Sequence, residues 1–561
     1  MELRTILLPA LLLVTIGGTG IRLRAIRSSE RPADALIVGQ VIDANTGNGL
    51  GGALVTLNLI NDAVALDSTS PRPRTVVSTA DGRFVFRALS AGRYTIGASR
   101  PGYIAGGFGT RRPGGQRQLL VLADHQKLNA SPIALWKLAA LSGRVVDDGG
   151  EPVEAARVRA LRREPPRGRE LAGEWSATTD DRGIYRIARL PPGDYLVLVC
   201  SISDGNSLLH PTTFYDSAPS PEQATIVTVA TGDDRLGVDF VMPTASGFRV
   251  RGTIQDPSGP AAGIPVKLRL PDPDQFPFDL EVSATVSHSD GRFSFDGVAR
   301  GTYVLEAVSG SATTTALVET KPTSTSDRTL RGQSTIVVSD RSIDDVLLPL
   351  SPGARVSGRV IFEGGAPALV AATSVFLDRV DQRPLRLGPA RPDRAGQFTT
   401  TDFPAGKYRL RVGVIPTGWM FKSAMYEGRD IADEPFDLES ADVNGVVVTF
   451  TTRGTRLSGS VRSERGRSDP ETSVLLYPAS PSAWTPTVSI FRMRSVRTSA
   501  TGTYSLTSIP PGEYYVVAVA EETFPGWQDP KRLAELASRA TRVRIVDGQT
   551  LVQDLRTVRD Q

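Results

Sequence analysis

The chain of 561 residues contains a single cysteine, Cys200, and three histidines, His125, His210 and His288. One thiol cannot form an intrachain disulfide, and it cannot supply a thiolate zinc site. Cys200 ends the apolar run YLVLVC and reads as a small buried hydrophobe. The histidines stand in HQKL, HPTT and HSDG, without a glutamate at the spacing of a zinc hydrolase. They read as polar loop residues. A G-x-S-x-G elbow is missing, as is a G-x-x-x-x-G-K-[ST] phosphate loop. The formal net charge is +4, too small and too dispersed for a nucleic-acid partner.

Long apolar runs are also missing beyond the N-terminus. There, Arg4 precedes ILLPALLLVTI, Ile6 to Ile16, and Gly17, Gly18 and Gly20 follow. A spanning helix needs about 20 apolar residues. The order of charge, short apolar run and small residues is that of a secretory signal. The expectation is a signal peptide over 1–20, a linker over 21–32, and a periplasmic or secreted chain. The membrane would be touched only through that segment.

What the chain has in quantity is glycine and proline, 54 and 40 residues, spread among Val, Ile, Leu and Thr. Short strands with many turns have that composition. The length is too great for one core.

One stretch is written five times. Aligned on the turn glycines Gly82, Gly183, Gly291, Gly396 and Gly502, an aromatic follows two residues later: Phe84, Tyr185, Phe293, Phe398 and Tyr504. Two further on stand Phe86, Ile187, Phe295, Thr400 and Leu506, with mostly polar residues between. Period two is a strand with one buried face. Asp-Gly before such a strand predicts a hairpin. Twelve residues after each turn glycine comes a tyrosine: Tyr94, Tyr195, Tyr303, Tyr408 and Tyr514. Its phenol oxygen needs a partner, which backbone in the preceding loop can supply.

Each unit opens with a Gly-x-β-branched step, at Gly39, Gly143, Gly252, Gly358 and Gly459, and closes with an apolar strand such as IALWKL at 133–138. Closing strands run almost directly into the next opening step, so linkers are short and the array is semi-rigid. A period of about 100 residues suits an independently packed sandwich of about seven strands.

The order Gly-x-Val, then Gly-x-Pro-Val at Gly150–Val153, then Asp-Gly-x-Phe/Tyr, then Leu-Pro-x-Gly-x-Tyr resembles the carboxypeptidase regulatory-like domain. Copy four is the loosest, with Ala395-Gly396 at the turn. The resemblance implies an all-β chain: a tandem array of five Ig-like (prealbumin-like) β-sandwiches over 33–139, 140–245, 246–352, 353–453 and 454–561. A short helix is expected inside the last, where DPKRLAELASRA, Asp529 to Ala540, spaces Leu533, Leu536, Ala537 and Ala540 along one face. Such domains usually accompany something else, and the catalytic half of that family is missing.

No catalytic residue, metal site or cofactor is assigned. The pairs Asp147-Asp148, Asp180-Asp181, Asp233-Asp234 and Asp344-Asp345 read as solvated turn carboxylates, with calcium at the joints as the competing reading. The stretch GYIAGGFGTRRPGG, Gly102 to Gly115, reads as a mobile surface loop. Aromatics outside the repeat pattern are the candidate ligand-binding residues: Tyr103, Trp175, Tyr215, Trp419, Trp484 and Trp527, with Phe108 and Phe214 in similar stretches. Trp136, in a closing strand, is expected in the core. The functional expectation is a non-catalytic structural or binding scaffold whose partner is an envelope protein or a polysaccharide. The alternative is a carbohydrate-binding protein using the exposed aromatics.

Overall fold

The computed structural model describes residues 34–558, apart from 61–72, 164–172, 205–206, 245–246, 272–280, 310–327, 366–372, 381–386, 417, 471, 485–490 and 521–525. The expected signal segment and linker lie outside the described residues. Five principal hydrophobic cores run in succession along the chain: Ala35 to Leu135, Ala139 to Met242, Val250 to Leu350, Ala354 to Phe450 and Leu457 to Leu555. The architecture is the expected all-β one, with two facing layers to a unit.

In the first unit one sheet runs in the order Arg83–Leu89, Ala35–Asp43, Ile133–Lys137, Tyr103–Ile104. The facing sheet runs Arg74–Val77, Leu54–Ile60, Gly92–Ser99, Gly106–Gly107. Alternation places Ile37, Val41, Phe84 and Phe86 on the inner side of one and Val55, Leu57, Tyr94 and Ile96 on the inner side of the other. Each fully buried apolar side chain contributes roughly 1.5–3 kcal/mol. The plan recurs in the later units, and in the fifth the layers join into one eight-stranded sheet. One hairpin, Ile202–Asp204 with Ser207–His210, departs from the expected 140–245 span. Its second strand adds to the sheet of the third unit, with Ser207 opposite Asp296.

The last strand of each unit pairs in parallel with its first. The registers are Val41 with Ile133, Val145 with Phe240, Gly252 with Val346, Val360 with Val448, and Val461 with Leu555. Parallel pairing puts the start and end of a unit at opposite poles, which suits a string.

The glycine of each opening step is there because something occupies the space of its side chain. A Cβ at Gly143, Gly358 or Gly459 would lie 2.0 Å from the carbonyl oxygen of Val238, Val446 or Gln553 in the closing segment. At Gly252 it would meet Val346 O at 2.3 Å and the Phe293 ring at 2.6 Å, and at Gly39 the Phe84 ring at 2.5 Å. Where the overlying aromatic is a tyrosine, its hydroxyl bonds that same carbonyl. Tyr185 donates to Val238 O and Tyr504 to Gln553 O, both at 2.6 Å.

The five turn glycines all have positive φ, between 73° and 82°, a region glycine enters without penalty. Their carbonyls accept the N–H of Val41, Val145, Ile254, Val360 and Val461, at 2.8–2.9 Å. The turn is not the hairpin expected. The strand before it belongs to one layer and the strand after it to the other: Arg74–Val77 pairs with Leu54–Ile60, but Arg83–Leu89 pairs with Ala35–Asp43. Asp-Gly reports a tight reversal, and the sequence signal does not distinguish a reversal within a sheet from a corner between sheets.

The tyrosine loops repeat to the atom. Each phenol donates to the carbonyl four residues back: Tyr94 to Ser90 (2.8 Å), Tyr195 to Pro191 (2.5 Å), Tyr303 to Ala299 (3.1 Å), Tyr408 to Pro404 (2.7 Å) and Tyr514 to Pro510 (2.7 Å). Thr400, the polar exception among the inward positions, is 4% exposed and its Oγ1 accepts the Val356 N–H at 2.9 Å. The helix forms over Pro530–Ala537, with Asp529 capping the N–H groups of Lys531 and Arg532. Leu533 and Leu536 are buried, and Trp136 is core as expected.

Tyr195→Phe leaves a buried carbonyl unpaired and is expected to destabilise its sandwich by about 1–3 kcal/mol, read by denaturant titration. Gly143→Ala is expected to cost at least that much, since its clash is with backbone. Gly388→Ala, with open space around the new methyl, is expected to stay within about 0.5 kcal/mol.

Candidate functional site

The six candidate aromatics do not form one platform. Tyr103 lies in the first unit, Trp175 and Tyr215 pack on the second core, and Trp419 on the fourth. Trp484 and Trp527 are brought together, but inside the fifth unit. They are 7% and 4% exposed in a cluster with Leu475, Tyr477, Leu533 and Leu536. This corrects the expectation of exposed rings there: the helix covers a second apolar face of the sheet, and the indoles fill the space between. Trp484 Nε1 donates to Pro478 O at 2.8 Å. Phe214 is likewise fully buried.

The other four are half-buried and engaged at home. Tyr103 donates to Asp43 Oδ2 at 3.0 Å, under the guanidinium of Arg100. Trp175 meets Tyr195 edge-on at 5.9 Å, Tyr215 meets Phe240 at 5.8 Å, and Trp419 meets Phe362 at 4.9 Å. Of the indoles named as candidates, Trp175 and Trp419 alone keep part of a face in solvent.

Carboxylates of the Asp pairs serve turns and ion pairs. Asp147 Oδ1 accepts from the N–H groups of Gly149 and Glu151, and Asp180 Oδ1 from those of Arg182 and Ile184. Asp234 pairs with Arg186 at 2.6 Å. Among the described residues no three His, Cys, Asp or Glu side chains gather as a metal set. His125 pairs with Asp34, His210 faces Pro243 O, and His288 is exposed in a turn. Cys200 is half-buried against Leu198 and Phe214, and burial pushes its thiol pKa up.

The charged clusters that sequence reading missed sit between units. Arg492 of the fifth unit is 5% exposed and reaches into the fourth. Its guanidinium lies 2.9 Å from Asp430 Oδ2 and 2.6 Å from Asp433 Oδ1. It also donates to Pro511 O (2.8 Å) and to the Tyr514 hydroxyl (3.0 Å), so the joint is tied to the fifth tyrosine loop. Phe421 and Phe491 meet across the same joint at 5.6 Å. A second cluster joins Lys422 to Glu363 (2.7 Å) and to Asp547 (3.2 Å). Between the third and fourth units Arg328 grips Asp442 with both terminal nitrogens, at 3.0 and 2.6 Å. These ionic partners are 59 to 125 residues apart, and no local spacing announces them.

One guanidinium serves two carboxylates at the fourth joint. Burial, then the nearby Asp430 charge, outweighs Arg492 and pushes the Asp433 pKa up to about 7, with Arg409 and Glu434 also facing it.

A family model for the carboxypeptidase regulatory-like domain matches residues 37–119 and 140–243. The later units repeat the same turn glycine, aromatic and tyrosine loop. The first two sandwiches thus carry this domain type, and the later three share their two-layer β plan. No curated protein matches it significantly. Solved structures similar to it include the TIE protein of Bacillus anthracis, 11% identical, with 75% of this chain and 74% of that one covered, TM-score 0.16. A streptococcal ancillary pilin is 14% identical over 57% and 99%, TM-score 0.18. BcpA, the major pilin subunit of Bacillus cereus, is 9% identical over 56% and 99%, TM-score 0.16. At TM-scores of this size nothing about binding or assembly follows for this chain.

The folded chain holds the Asp433 proton to about pH 7, whereas a free carboxyl releases it near 3.8. Between those values the folded state binds more protons, so the stability this group contributes is present below about pH 4 and is lost as pH rises through 7. Asp433→Asn is expected to flatten the stability profile between about pH 4 and pH 7, measured by thermal unfolding of the full chain.

Proposed function

We propose that the protein is a non-catalytic structural and binding scaffold of a bacterial cell envelope, periplasmic or secreted, whose sandwiches hold surfaces at fixed separations. The observation that carries this reading is the use made of its charged side chains. At the third and fourth joints charged side chains converge across units and fix one sandwich against the next. A cavity of about 390 Å³ in the fifth unit, lined by Arg462, Arg539, Asp554 and Arg556 over Val516–Ala518, has a single carboxylate. Asp554 accepts from both the N–H and the hydroxyl of Ser460, which hold its pKa down. It is a poor proton donor, and no second acid or base lines the cleft with it. The signal-like segment at 1–20 supports an envelope or secreted location.

A sugar-binding role would rest on Trp175 and Trp419. Residues 33–561, incubated with a panel of soluble and insoluble polysaccharides, are expected to show no saturable retention. Retention that Trp175→Ala or Trp419→Ala abolishes would replace the scaffold reading with a carbohydrate-binding one.

A further inference from the structure

The loop read from the sequence as mobile is docked on the far end of the chain. Gly106–Gly107 pairs with the tyrosine strand of the first unit, Gln118 N–H bonds Phe108 O at 2.7 Å, and Gly115 N–H bonds Arg112 O at 3.0 Å. Glycine permits this compactness. A Cβ at Gly109, where φ is +75°, would lie 2.5 Å from the Gln118 side chain. The result is a built protrusion with Gln116 and Gln118 held at its base.

Its partners belong to the fifth unit. Gln118 Nε2 donates to Thr498 O at 3.0 Å and to Pro470 O at 3.2 Å. Gln116 bonds the Ser495 hydroxyl, and the Arg497 guanidinium donates to Gly109 O. Gln118 and Arg497 are 9% and 4% exposed, so these contacts are shut off from water. The receiving segment, Arg494–Arg497 and the residue after it, is the outermost strand of its sheet. An outer strand leaves backbone groups unpaired and is usually covered or blunted. Here the cover comes from 379 to 388 residues away in the chain.

We propose that the five sandwiches close into a ring, with residues 109–118 of the first unit acting as a strap over the edge of the last. The fit is polar. Among the described residues, Gln116, Gln118 and Arg497 meet backbone carbonyls and a hydroxyl, and no ring pair like Phe421–Phe491 joins them. A contact of this kind is weak between separate molecules. It closes here because the joints hold its halves at high effective concentration. It is therefore the contact most readily opened, and opening it bares the edge strand of the fifth unit.

Small-angle scattering of residues 33–561 tests this. The expected result is a compact monomer whose maximum dimension rises roughly 1.5-fold when Gln118→Glu places a carboxylate against the two carbonyls. The pair Gln118→Ala with Arg497→Ala, which removes donors without adding charge, is expected to lengthen the particle likewise with an unchanged circular dichroism spectrum. An extended wild-type particle would overturn the ring, as would variants folded and indistinguishable from wild type. So would a wild-type mass that grows with concentration, since the contact would then be made between copies.

Discussion

Everything in this molecule hangs on the lack of a side chain at one point of each opening strand. In four units the closing segment lays a carbonyl oxygen there, and in the first the Phe84 ring takes the same space. Backbone thus sits where Cβ would be, and the last strand can come down beside the first. Without that approach a unit could not be shut by its own final strand, and its inner face would stay open. The turn glycine completes the arrangement by presenting its carbonyl to the residue two beyond the opening glycine. The tyrosine loop then returns the chain to the other layer. These features are one device, which explains why they travel together with invariant spacing while the loops between them differ.

The joints follow a different chemistry. Within a unit the cohesion is mainly apolar, with ion pairs such as Arg159–Glu174 and Arg355–Asp402 beside it. Between units it varies from joint to joint. The third and fourth joints carry bidentate or shared carboxylate–guanidinium contacts, and the fourth adds an aromatic pair. At the first joint Asn45 donates to Thr231 O and Gly232 N–H bonds Lys137 O. A buried ion cluster is a poor source of net stability, because desolvation offsets attraction. Its geometry is nonetheless strict, since leaving any one charge alone is costly. Such a joint specifies an angle more than it adds strength.

The sequence was legible where structure is local and periodic. The turn glycines, the inward aromatics and the tyrosines announced the five cores. The phenol bonds to the preceding loop, the helix from Asp529 and the burial of Trp136 were within reach of spacing and capping rules. Three things were not. Asp-Gly marks a reversal of direction and is silent on whether the strands that follow share a sheet. Indole content marks large apolar area and is silent on which side faces water, so Trp484 and Trp527 looked available until the helix was seen to cover them. Charged partners across a joint leave no periodic trace, so Arg492 resembled any surface arginine. The candidate site was the least legible part, because whatever the protein holds is held by surfaces assembled from separate units.

The parallel pairing of first and last strands has a mechanical meaning. A pull on the two ends of a unit acts along these neighbouring strands in opposite directions. Their hydrogen bonds are then loaded together, in shear, instead of being peeled one after another from an end. Each sandwich therefore meets tension along the string with its strongest geometry, and the load passes to the next unit through the few residues that separate a closing strand from an opening one. A chain of such units resists stretching at every link, whatever it is attached to.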